Sequence, residues 1–255
     1  MRRFKQVDVF TAQPFRGNPV AVVLDAEGLD AEAMQRIARW TNLSETTFLL
    51  KSDKADYRVR IFTPSRELPF AGHPTIGTAH AALESGFVSS RKSLKQECGA
   101  GVLELLAEDG KIFVRSPQPK IRELERPVLG GRALRVEVGP VWLTAEVKDV
   151  AAVDTGAMAQ LSREHDATGV TVFDSKLHVR SFAPLQGIPE DPVCGSGNIS
   201  VAAYLRHFGR AQGEYTARQG MSIGRDGRIY MRVDERDIWL GGEAVTCVEG
   251  SLRTA

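Results

Sequence analysis

The strongest constraint on the fold is a stretch that occurs twice. Residues 57–86 read YRVRIFTPSRELPFAGHPTIGTAHAALESG, and residues 177–209 read LHVRSFAPLQGIPEDPVCGSGNISVAAYLRHFG. Each reads as a strand, a proline-bearing turn and a helix opened by glycine. Val59-Arg60 and Phe62-x-Pro64 match Val179-Arg180 and Phe182-x-Pro184. From Gly72 to Gly86 and from Gly195 to Gly209 the spans are both 14 positions. The second turn is longer, with 13 steps from Phe182 to Gly195 against 10 from Phe62 to Gly72. The first helix carries Thr75, Ile76, Gly77, Thr78, Ala79, Ala81 and Ala82 and is small or apolar nearly all round. A surface helix would show one apolar stripe and one charged face. A helix without a charged face belongs inside the molecule, and its small side chains let the surrounding walls come close. Pro74 suits the first turn, where a missing N–H costs nothing. A duplication of this length predicts two similar halves.

The rest of the chain fits that division. FKQVDVF (4–10) alternates as a half-buried strand, and PVAVVL (19–24) is a fully apolar one. Asp30 is an N-cap for the amphipathic segment AEAMQRIARW, which Asn42 ends, and NLSETTFLL leads through Glu45 into another strand. Strands follow at 93–98, 102–107 and 111–116, with a hairpin turn at Asp109-Gly110. Residues 117–132 hold three prolines, two glycines and many charges and mark the domain boundary. This gives an N-terminal domain 1–120 and a C-terminal domain 121–255. In the second half the order repeats: strands near 133–138 and 141–147, a helix near 156–165, a strand at 170–173 and the second copy of the unit. Closing strands are expected around 214–219, 228–233, 237–240 and 243–249, with an Asp-Gly hairpin at 226–227. The predicted class is α+β: two pseudo-symmetric domains, each a sheet rolled around its apolar helix, with the amphipathic helix outside.

Composition narrows the function by exclusion. With 42% apolar and 25% charged residues in 255, the chain is that of a soluble globular protein. A net charge of +1 provides no field for nucleic acid or an acidic membrane, and no stretch is apolar enough to act as a signal peptide or span a bilayer. Cys98, Cys194 and Cys247 form no C-x-x-C pair, which argues against a disulfide framework and a zinc site. A cytoplasmic protein is the expectation.

The chemistry gathers at the two helix starts. AGHP (71–74) and CGSG (194–197) present free N–H groups and the positive end of a dipole, which attract carboxylate or phosphate. If the halves face each other, both starts serve one small anionic metabolite. Glu45 stands at a loop–strand junction, and aligning Thr46-Thr47-Phe48 with Val170-Thr171-Val172 puts Gly169 opposite it. His73, at a helix start, is disfavoured as a cation and reads as a neutral hydrogen-bonding imidazole. Taken alone, Glu45 is equally a solvated charge, His73 a structural histidine and Asp191 a helix cap. Gly195-Ser-Gly197-Asn-Ile-Ser200 is a truncated dinucleotide fingerprint without its last glycine or a parallel βαβ setting.

Taken together, GNPVAVV, NLSETTF, ELPFAGHPT, EDPVCGSG and RQGMSIGRDG…GGEAVTCVEG resemble the PhzF family, which is related in fold to diaminopimelate epimerase. The resemblance spans essentially the whole chain. It implies two rolled-sheet domains with an active site between them, a homodimer, and no metal, nucleotide or pyridoxal cofactor. It makes Glu45 the residue that moves a proton, as base and then as acid. His73, Asp191 and Ser196 match positions that hold and polarise the substrate, and Gly72 and Gly195 match backbone donors. Related epimerases carry a cysteine at each helix start; here the positions are Ala71 and Cys194. That leaves three readings: a one-base isomerase acting on a small carboxylate, a racemase using Glu45 and Cys194 as opposed bases, and a small-molecule-binding protein without turnover. The lone carboxylate favours the isomerase, with Cys194 lining the pocket.

Overall fold

The structure is a computed structural model and describes residues 1–89, 92–211 and 213–254. Contacts divide the chain into two compact units, Met1–Val114 with Gly241–Ala255, and Arg115–Leu240. In chain order the first run is β1 (Arg2–Val9), β2 (Asn18–Val23), α1 (Ala31–Thr41), β3 (Thr46–Leu50), β4 (Tyr57–Phe62), β5 (Glu67–Leu68), α2 (Gly72–Glu84), β6 (Ser93–Cys98), β7 (Gly101–Glu108) and β8 (Lys111–Arg115). The second run is β9 (Lys120–Glu123), β10 (Ala133–Glu137), β11 (Val141–Glu146), α3 (Met158–Glu164), β12 (Gly169–Phe173), β13 (His178–Ala183), β14 (Ile188–Asp191), α4 (Gly195–His207), β15 (Gly213–Gln219), β16 (Gly227–Val233) and β17 (Ile238–Gly242). β18 (Ala244–Leu252) closes the chain.

The two units repeat one pairing scheme. In the first, β2 runs parallel to β3, β3 antiparallel to β4, and β4 parallel to β6. In the second, β11 runs parallel to β12, β12 antiparallel to β13, and β13 parallel to β15. Before each set stands an antiparallel pair, β1 with β2 and β10 with β11. Both central helices are buried along most of their length, ten residues of thirteen in α2 and ten of thirteen in α4. The class is α+β, as the duplication predicts. Small side chains allow the close approach: a Cβ on Gly77 would lie 2.4 Å from Val20 Cγ1 and 2.9 Å from Val9 Cγ2. The amphipathic α1 is capped by Asp30 Oδ1, which accepts from the Ala33 N–H at 2.7 Å. Its Met34 and Ala38 pack on Val23, Phe48 and Phe62. α3 does the same in the second unit, with Met158 against Val170, Val172 and Phe182.

Three expectations need correction. The 120/121 boundary is displaced, because the second unit begins at Arg115 and the chain's last strand returns to the first. β18 pairs antiparallel with β1 from Arg2↔Leu252 to Val9↔Ala244. The charged, proline-rich segment 117–132 is not only a connector: β9 lies in it and pairs with β10. β9 is to β10 what β18 is to β1. Finally, Asp109-Gly110 is a tight turn with φ of 49° and 75°, but Asp226-Gly227 is not its equivalent. Gly227 is already the first residue of β16, opposite Gln219, and the turn is the longer loop from Gly220 to Asp226.

Candidate active site

In the first unit the loop–strand junction before β3 places Glu45 beside the start of α2. The main chain fixes it there, the Ala21 N–H donating to the Glu45 carbonyl at 3.4 Å. Glu45 Oε2 lies 3.5 Å from His73 Nε2, with 15% and 8% of the two side chains exposed. That separation is an approach rather than a hydrogen bond, and Glu45 Oε2 is buried without a hydrogen-bond partner among the described residues. Burial pushes the Glu45 carboxyl up to about 7, against a smaller downward pull from its bond with Ser44. A carboxyl poised near neutrality can both take and return a proton. Gly72 and His73 open α2; its N-cap, Ala71, offers no side-chain acceptor, and the first turn holds no acidic residue. No side chain of the helix's own cap or first turn compensates its positive end.

In the second unit the turn between β13 and α4 gathers the other predicted residues. Asp191 ends β14, and its Oδ1 accepts from the Val193 N–H at 3.1 Å. Cys194 is the N-cap of α4, and its Sγ accepts from the Gly197 N–H at 3.3 Å. A thiol thus takes the place of the hydroxyl or carboxylate that usually fills this role. Gly195 and Ser196 follow as the first helical residues, again with no acid in the first turn. Glycine is required two residues on, since a Cβ at Gly197 would sit 2.4 Å from Ser181 Oγ.

Sequence reasoning missed three side chains here. Trp142, on β11, donates its indole N–H to Ser196 Oγ at 3.0 Å. Gln219, at the end of β15, donates to the Asp191 carbonyl at 3.0 Å and accepts from Asn198 Nδ2 at 2.8 Å. Asn198 in turn donates to the Cys194 carbonyl at 2.9 Å. These buried amides tie the pre-helix turn to the helix. The sequence signal was faint: a polar residue ending a strand has many uses, and only the fold shows what Gln219 and Asn198 hold.

Comparison with known proteins identifies the family and the fold. The family model described as phenazine biosynthesis-like protein matches residues 7–129 and 147–250. The chain is 36% identical to the trans-2,3-dihydro-3-hydroxyanthranilate isomerase of Pseudomonas aeruginosa, covering 98% of this chain and 95% of that one. It is 38% identical to antisense-enhancing sequence 1 of Schizosaccharomyces pombe, over 97% of each. Among solved structures, the PhzF-family phenazine biosynthesis protein of Bacillus anthracis superposes with a TM-score of 0.85 at 26% identity, covering 99% of both chains. A hydroxyproline epimerase from Agrobacterium vitis shares the fold, with a TM-score of 0.66 at 16% identity, over 98% of this chain and 93% of that one. The duplicated units, the two buried helices and these relatives together place the chain in the PhzF, or phenazine biosynthesis-like, family, and it is an isomerase.

Proposed function

We propose that the chain is a cofactor-independent isomerase that moves a proton within a small carboxylate, with Glu45 as its single acid and base. The observation that carries the reading is the Glu45 carboxyl, buried beside His73 at a helix start and raised to about 7. Ionised, Glu45 removes a C–H proton, and the electron pair left behind shifts an adjacent double bond. The same carboxyl then delivers the proton to the carbon at the far end of that system. Atoms and charge balance without any co-reactant, provided water is kept out. The N–H groups of Gly72 and His73 and of Gly195 and Ser196 are the proposed holders of substrate carboxylate. His73 and Asp191 are proposed to orient the substrate, and Gln219 supports the turn that carries Asp191.

The compound named for the Pseudomonas aeruginosa relative, trans-2,3-dihydro-3-hydroxyanthranilate, is the first substrate to assay. Glu45→Gln keeps the shape and loses the proton, so turnover should fall by about 10²–10⁴-fold while ligand affinity changes little. Near-normal turnover by that variant would retire the mechanism. A racemase would need a second base, for which Cys194, at the N-cap of α4, is the candidate. In the one-base mechanism Cys194→Ser retains most activity, and in D₂O a single product carbon gains deuterium without inversion at the donor carbon. An inactive Cys194→Ser that still binds ligand would favour the racemase.

A further inference from the structure

The second unit has no carboxylate where the first has Glu45, and the structure shows what stands there instead. Parallel pairing sets Trp142 opposite Gly169, and continuing the first unit's register, Ala21↔Thr46, back by one step puts Val20 across from Glu45. A Cβ on Gly169 would lie 2.6 Å from Trp142 Cζ3 and 2.2 Å from the Phe182 carbonyl oxygen. Large and small have been exchanged: valine beside glutamate in one unit, tryptophan beside glycine in the other. Trp142 is 3% exposed, so the ring is fixed in that space.

Its polar edge has a second consequence. The indole N–H is a donor only, so at 3.0 Å it makes Ser196 Oγ an acceptor on that side. The hydroxyl proton of Ser196 must point elsewhere. Its neighbour in the structure is Cys194 Sγ at 3.6 Å, a weak acceptor already engaged by the Gly197 N–H. A carboxylate oxygen arriving at the start of α4 is a far stronger acceptor and takes the proton's hydrogen bond over from sulfur.

We propose that Trp142 is the positioning residue of the α4 start: it turns the Ser196 hydroxyl into a dedicated donor for a substrate carboxylate and fills the space of a second base. This rests on the reading that the helix start holds an anion, and deepens it by assigning Ser196 a donor role fixed from behind. The test is a double-mutant cycle of Trp142→Phe and Ser196→Ala. Its two readouts are the dissociation constant for inorganic sulfate by calorimetry and KM and kcat with trans-2,3-dihydro-3-hydroxyanthranilate. Trp142→Phe keeps a ring and loses the N–H, so it should raise the sulfate constant and KM about tenfold with little change in kcat. In the Ser196→Ala background the same change should add nothing. Equal losses in both backgrounds, or wild-type affinity in Trp142→Phe, overturn the proposal.

If wild-type protein binds sulfate but does not turn over the dihydro compound, the substrate assignment fails and the sulfate cycle alone decides the role of Trp142. Binding of neither overturns both. Should Trp142→Phe not fold, a protein with Trp40 and Trp239 changed to Phe leaves Trp142 as the sole emitter. Its emission should shift on sulfate addition, and Ser196→Ala should abolish the shift; an unchanged response in Ser196→Ala overturns the proposal.

Discussion

The Glu45 carboxyl holds its proton to about pH 7 in the folded chain, where an ordinary glutamate gives it up near 4.5. If Glu45 is the base, kcat/KM should rise with pH through a pKa near 7 and level off above it. A flat profile between pH 5.5 and 8.5 would speak against this base. The same shift has a stability cost with a definite sign. Between 4.5 and 7 the folded state binds a proton that the unfolded state has released, so stability falls as pH rises across that window. Glu45→Gln removes the cost and should be more stable than wild type by ~1–3 kcal/mol at pH 8, and no more stable at pH 4. Urea titrations of both proteins at the two pH values check it. Glu45 was legible in the sequence because its counterpart, Gly169, is so plainly different. Trp142 was not, since its use depends on that missing side chain and on a hydroxyl 54 positions away.

At the level of elements, both central helices could be read directly, because a helix that is apolar all round has nowhere else to go. What the text could not show is how tightly α2 is held. Gly77→Ala forces a methyl group against Val20 and Val9 and should cost ~1–3 kcal/mol in chemical denaturation. Gly110→Ala, in an open turn with φ of 75°, should cost only about 1 kcal/mol, from backbone strain alone. A loss at Gly77 no larger than that at Gly110 would mean that the sheet yields easily around the helix. The two Asp-Gly pairs carry a related lesson. Asp109-Gly110 joins two strands whose register it sets, Glu108↔Lys111, so the dipeptide signal holds. At Asp226-Gly227 the glycine sits against Val193, where a Cβ would come within 2.3 Å of Cγ2. Here the residue answers a packing demand, and a reading of turn chemistry alone takes it for a hairpin.

For the whole chain, the misplaced boundary has a simple cause. Each strand that follows a completed set of strands belongs to the other unit, β9 to the second and β18 to the first. No local composition announces such a return, since β18 reads like any other terminal strand. Its attachment is more than backbone pairing. Lys5, with 3% of its side chain exposed, reaches Glu84 at 2.6 Å and Glu249 at 3.3 Å, and Thr246 donates to Glu84 at 2.6 Å. Deleting residues 244–255 would bare the edge of β1 and strip a buried ammonium of one partner. The truncated chain should aggregate or lose the cooperative unfolding of its first unit; full solubility with an unchanged melting profile would show that β18 is dispensable.

That returning strand also sets a timetable during synthesis. The ribosome releases Met1–Val114 early, yet β18, which covers the second edge of β1, is made only after the whole of the other unit. The residues of the other unit, Arg115–Leu240, are contiguous and emerge complete. The part made second should therefore become protease-resistant first, while β1 waits with one edge open through the translation of more than two hundred residues. Stalled nascent chains ending at residue 243, probed by limited proteolysis after enough linker has cleared the tunnel, should protect the later unit and leave the earlier one cleavable.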